Sequence, residues 1–176
     1  MIKAENIKTG DLLLVGGGKS FLSKAIRWFT ESKVNHSGMF WWNYGVLMII
    51  EEDKYNRGVG LITTPYDDYL KSGRLLIIRR PKFDVDGSEY GKFMLPFLGK
   101  VKYSFFDLII AHPFYIISKK CGKAIWIGGT TMKDLRTVCS GWVTFVYNKF
   151  TGLFPDWYKK SPGNLLTDEN FVTLSE

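Results

Sequence analysis

The residues best suited to chemistry lie late in the chain, in Thr137-Val138-Cys139-Ser140-Gly141-Trp142-Val143-Thr144-Phe145-Val146-Tyr147. Cys139, Val143, Val146 and Phe150 recur at intervals of four, three and four, the spacing of one helix face. A helix beginning at or just after Cys139 sets the sulfur where unpaired backbone N–H groups and the positive end of the dipole converge. That setting favours thiolate over thiol, the form a nucleophile needs. A small buried residue on an amphipathic helix has the same spacing, so the cysteine needs a partner from elsewhere in the chain.

His36 is the candidate partner. It opens one apolar run, and Asn43-Tyr44-Gly45 separates that run from a second, Val46 to Glu52. Two such runs around an Asn/Gly turn read as a β-hairpin with His36 at its open end. Directly opposed residues share a face. A three-residue loop opposes His36 to Glu52, and a four-residue loop opposes it to Glu51. Either gives the imidazole a carboxylate. Thiol, imidazole and carboxylate are the parts of a cysteine hydrolase, which is defined by geometry and not by chain order.

Other reactive residues are poorer candidates. Cys121 stands among Lys119, Lys120 and Lys123 with no base beside it, and His112 lies in an apolar run. There is no Cys-x-x-Cys pair, and a mixed Cys/His zinc site needs ligands from widely separated segments. No metal and no cofactor is therefore expected. Gly16-Gly17-Gly18-Lys19-Ser20 misses the spacing of a phosphate-binding loop and reads as a strand-to-helix turn.

The elements that must position these groups follow in order. Strands are expected at Asp11 to Val15, Val59 to Thr63, Leu75 to Arg80, Ala124 to Ile127 and Phe171 to Leu174, besides the hairpin. Helices are expected from Phe21, with an apolar face to Phe29 and an end by Ser32-Lys33, and over Thr64 to Leu70 and Asp86 to Lys100, the last interrupted by Pro96 and Gly99. Residues 104–118 form a very apolar run broken by Asp107, His112 and Pro113. The run reads as a buried helical hairpin, with an exposed loop dipping into lipid as the alternative.

At 176 residues the chain suits a single domain, 1–176, with one core. A net charge of +7 fits nucleic acid, anionic lipid or an acidic cell-wall polymer. Without a dense Lys/Arg run or a nucleic-acid motif, nucleic acid ranks last. No signal-peptide core or spanning apolar stretch is present, which suggests cytoplasmic synthesis, with a phage-associated or peripheral membrane setting open.

Cys139-Ser140-Gly141-Trp142-Val143 resembles the Cys-Ser-Gly nucleophile motif of the NlpC/P60 peptidases, which are papain-like. Trp126-Ile127-Gly128-Gly129-Thr130-Thr131 is similar to the aromatic-Gly-Gly segment ahead of that cysteine. No histidine follows Cys139, so the resemblance is to the circularly permuted branch, the YiiX/YebB-like proteins, whose relatives include the lecithin:retinol acyltransferase group. Gly10-Asp11-Leu12-Leu13-Leu14, Asn35-His36-Ser37-Gly38-Met39-Phe40, Ile49-Ile50-Glu51-Glu52, Gly58-Val59, Gly99-Lys100-Val101-Lys102-Tyr103 and Ser161-Pro162-Gly163-Asn164-Leu165 match that branch in order.

The resemblance implies an α+β, papain-like fold with an antiparallel sheet or barrel against the cysteine helix. It implies Cys139 as nucleophile, His36 as base, Glu51 as orienting residue and Tyr103 near the substrate. The implied activity is a thiol-dependent hydrolase cleaving an amide, of a cell-wall or other peptide, through a thioester. The alternatives are a lipid or thioester acyl hydrolase or acyltransferase touching membrane through 104–118, and a non-catalytic binding module. Two features depart from the branch: Gly141 stands where a Glu is common, and an apolar insertion at about 104–123 lengthens the path from Tyr103 to Cys139.

Overall fold

A computed structural model describes residues 2–53, 60–128 and 135–175. The fold is α+β, built on a six-stranded antiparallel sheet. In chain order come β1 (Leu12–Gly16), α1 (Phe21–Thr30), β2 (Val34–Asn43), β3 (Val46–Asp53), β4 (Gly60–Pro65) and α2 (Tyr66–Lys71). They are followed by β5 (Leu75–Pro81), α3 (Gly87–Met94), β6 (Lys102–Tyr103), α4 (His112–Lys120), β7 (Arg136–Thr137), α5 (Cys139–Thr151), α6 (Pro162–Thr167) and β8 (Phe171–Thr173). The sheet order is β4-β3-β2-β1-β5-β8, and β6 pairs with β7 in a separate parallel ribbon.

Alternation along the strands divides the core in two. Leu12, Leu14, Met39 and Ile50 face α5, packing with Trp142, Val143, Val146 and Tyr147. Leu13, Val15, Phe40, Ile49 and Ile78 face the other way, with Tyr66 and Tyr69 of α2. Tyr147 ties α5 to the strand entry by donating from its hydroxyl to Gly10 O at 2.8 Å. Buried Arg79 donates to Leu165 O and Phe171 O, each at 2.6 Å, and so fastens α6 and β8 to β5.

Local chemistry explains the helix boundaries. Ser20 caps α1 by accepting from Ser23 N–H, and Asp86 caps α3 by accepting from Ser88 and Glu89 N–H. Gly152, at φ 70°, ends α5 in the left-handed conformation glycine tolerates. The helix expected over Asp86 to Lys100 stops at Met94 and tightens into a 3₁₀ turn, Leu95–Phe97, because Pro96 cannot continue the ladder.

Three expectations are corrected. The β2–β3 connection is a two-residue turn, with Tyr44 at φ 45° and Gly45 at φ 81°, flanked by the pair Asn43 and Val46. Residues 105–120 form one continuous helical run and not a buried hairpin, with a π turn at Asp107–Ala111 where Pro113 enters the ladder. Ala124 to Ile127 is not a strand. The Gly58-Val59 and Gly129-Thr130-Thr131 positions lie outside the described residues.

Among the described residues no helix is long and apolar enough to cross a membrane. Leu14 is fully buried between sheet and α5, whereas Leu153 is 47% exposed. Leu14→Ala is expected to lower unfolding free energy by about 2–5 kcal/mol. Leu153→Ala should stay within about 0.5 kcal/mol in the same urea titration.

Candidate active site

The hairpin turn sets the register of the site. Gly38 opposes Glu51, so His36 lies diagonal to Glu51 on the same face of the pair. Neither loop length weighed above applies, yet the carboxylate is in reach. Gly38 is required by this packing: a Cβ there would meet Ile49 Cγ2 at 2.4 Å and Glu51 Cβ at 3.2 Å. One residue before His36, the β1–β2 register slips, with Val15 opposite His36 but Gly16 opposite Val34. The extra residue, Asn35, makes a bulge, a device that bends a strand and re-aims its side chains.

His36 Nε2 and Glu51 Oε2 lie 2.5 Å apart. Glu51 is buried and also accepts from the Tyr69 hydroxyl of α2 and from Thr64 on β4. Burial pushes its carboxyl up, but these donors, His36 foremost, hold it below the usual carboxylate range.

His36 also shares a side-chain hydrogen bond with Cys139. Burial works against a charged imidazole, but the charge of Cys139, its hydrogen bond, and then Glu51 raise the His36 pKa to about 10. Cys139 is the first residue of α5 and only 3% exposed. Burial pushes its thiol up. The His36 charge, its hydrogen bond, and the backbone N–H groups of Ser37 and Ser140 outweigh that and lower it. The two shifts run in opposite directions and together favour the imidazolium–thiolate form of the pair.

Glu52 takes another path. As the next residue on β3 it turns to the face of Ile50, beneath α5, and is 1% exposed. Neither of its carboxylate oxygens has a hydrogen-bond partner. Burial, and then the Cys139 charge, push its pKa well above the usual value and so favour its neutral form.

Tyr103 lies on β6, paired with Thr137, two residues before Cys139, and its ring is 5.3 Å from that of Phe105. Gly141 packs where a Cβ would meet Thr137 Oγ1 at 2.5 Å, so a larger residue there requires the Thr137 side chain to shift. Cys121 is exposed and apart from this cluster. Sequence reasoning missed Tyr69 and Thr64, because nothing local marks a side chain whose partner lies on another strand. The Ser37 N–H was equally hidden.

Cys139 also opens onto a cavity of about 380 Å³ between α1 and the 105–120 run, with Val138 and Ser140 beside it.

A solved structure with a similar fold is the metalloprotein YiiX from Escherichia coli O157:H7. It is 18% identical, with a TM-score of 0.65 over 96% of this chain and 97% of that one. No protein-family model matches the chain, and no curated protein does. Among the described residues no group of three or more His, Cys, Asp and Glu side chains is arranged to hold a metal ion. Within the site, His36 Nε2 is already hydrogen-bonded to Glu51 Oε2.

The ion pair sets a pH signature. A free thiol of pKa about 8.5 loses roughly 50–100-fold in alkylation rate between about pH 8 and pH 6. Cys139, with a lowered pKa, is expected to lose much less, its rate falling only as pH drops through that lowered value. His36→Ala should restore the steep free-thiol dependence. Peptide-resolved iodoacetamide labelling, with Cys121 as internal reference, measures both.

Proposed function

We propose that this protein is a thiol-dependent acyl hydrolase working through a thioester on Cys139, with a permuted papain-like arrangement of its site. One observation carries the reading: a single imidazole lies between a buried carboxylate and the thiol at the start of α5. The imidazole precedes the thiol in the chain, opposite to standard NlpC/P60 order.

The steps follow from this geometry. The Cys139 thiolate attacks a carbonyl carbon, and the backbone N–H of Cys139, at the helix N-terminus, stabilises the oxyanion. As the C–N or C–O bond breaks, the His36 imidazolium protonates the leaving group. Neutral His36 then takes a proton from water, whose oxygen attacks the thioester and releases the acid and the thiolate. Glu51, held by Tyr69 and Thr64, fixes the ring orientation and stabilises its positive charge.

The expected readout with p-nitrophenyl acetate is an acetyl adduct on Cys139 by mass spectrometry and steady release of nitrophenolate. Cys139→Ser should abolish both. Glu51→Gln should lower kcat by about 10²–10⁴-fold while the circular dichroism spectrum stays native. Undiminished turnover by folded Cys139→Ser would overturn Cys139 as the nucleophile.

A further inference from the structure

Resting on the thiol-hydrolase reading, we infer that the side-chain amide of Asn35 is a catalytic group of this site. Its Nδ2–H donates to the oxyanion formed when Cys139 attacks a carbonyl, as a second donor beside the Cys139 backbone N–H. Addition to a carbonyl puts a full negative charge on one oxygen in a largely apolar cleft, and one backbone N–H offsets only part of that cost. The Ser37 and Ser140 N–H groups are directed at the sulfur, so the further donor is sought among side chains of the cleft.

Besides Cys139, the polar side chains lining the cavity are Thr30, Asn35, His112, Ser140 and Ser161. Each hydroxyl has one proton and has already placed it. Thr30 donates to Ile26 O at 2.8 Å, Ser140 to Lys160 O at 2.7 Å and Ser161 to Asn164 Oδ1 at 2.9 Å. His112 keeps its Nε2 buried within the 105–120 wall. Asn35 differs, because an amide carries two N–H donors besides its oxygen.

The oxygen end of that amide is assigned by Arg27 of α1. Its Nη1 donates to Gly18 O at 3.1 Å and lies 3.5 Å from Asn35 Oδ1. A guanidinium has donors only, so it takes the amide oxygen and leaves the NH₂ end turned away from it. Among the described residues no protein group accepts from Asn35 Nδ2.

The backbone explains how an asparagine comes to line this cleft. Val34 and Met39 both face the α5 side of the sheet, although strict alternation would set them on opposite faces. The parity changes because Asn35 is the extra residue of the β2 bulge. Released from the ladder's alternation, it lies against α1 and lines the cavity while only 6% exposed. It immediately precedes His36 and Ser37, whose ring and N–H both bond Cys139, so one short segment carries all three groups.

The step balances without a new reactant. The thiolate forms the C–S bond as the C=O π pair moves onto oxygen, where the Asn35 and Cys139 N–H groups hold it. That pair then returns, the C=O bond re-forms and the C–N or C–O bond breaks, with the His36 proton going to the leaving group. Asn35 gives up no proton.

The test compares two reactions of Cys139 in the full chain. Iodoacetamide reacts by displacement at a saturated carbon and forms no oxyanion, whereas p-nitrophenyl acetate forms one. Asn35→Ala should lower kcat for the ester by about 10²–10³-fold, with KM changed less than about threefold. Its Cys139 alkylation rate and pH profile should stay those of the unaltered protein. Asn35→Asp keeps the shape and an oxygen toward Arg27 but has no N–H to give, so its ester turnover should fall at least as far. Turnover by either folded variant within about threefold of the unaltered protein overturns the inference. So does a parallel loss of turnover and alkylation in Asn35→Ala, which would assign Asn35 to holding the ion pair. Absence of turnover by the folded, unaltered protein is a different result: it sinks the thiol reading and this inference with it.

Discussion

Burial opposes both charges of the Cys139–His36 pair, and every other feature of the site offsets that opposition. Removing an ion from water costs several kcal/mol even after the protein relaxes. The thiolate is compensated by the imidazolium and by two backbone N–H groups, and the imidazolium by Glu51. Glu51 is in turn held by donors on two other elements, Tyr69 of α2 and Thr64 of β4. The charge distribution thus needs α5, β2, β3, β4 and α2 to be in place together.

The sheet makes that meeting possible. α5 lies on β1, β2 and β3 through Leu12, Leu14, Met39 and Ile50, which fixes where its first turn ends up. The bulge at Asn35 then bends β2 at the residue before His36. Gly38, which leaves no space for a Cβ, keeps the diagonal between His36 and Glu51 open. The glycine and the bulge are small features of sequence with long-range consequences.

What could be read from the chain beforehand tracks how local the cause is. The α5 helix was legible because its apolar spacing repeats from Cys139 through Val146. Phe150, the next residue in that series, is 41% exposed and stacks on Tyr90 at 4.3 Å. The hairpin was legible too, but its register was not, since Tyr44 takes a positive φ that a tyrosine seldom adopts. Composition marked the 105–120 run as apolar without choosing between core and surface. The structure divides it, with Leu108 and Ile116 toward the cavity and Phe106, Ile110, Phe114 and Ile117 outward. Tyr69 could not have been assigned to Glu51 by any pattern, because that contact depends on how α2 packs under the sheet.

Adjacent Glu51 and Glu52 show how completely the fold decides a side chain's chemistry. Strand alternation sends one toward His36, Tyr69 and Thr64 and the other beneath α5, where its oxygens meet no donor. Glu51 ionises because donors surround it. Glu52 is pushed toward its neutral form because burial penalises its charge and the nearby thiolate adds to the penalty. A second anion at that position would raise the Cys139 pKa and work against the ion pair. The shifts of Glu52 and Cys139 therefore reinforce each other, and the fold pushes its two adjacent acids in opposite directions.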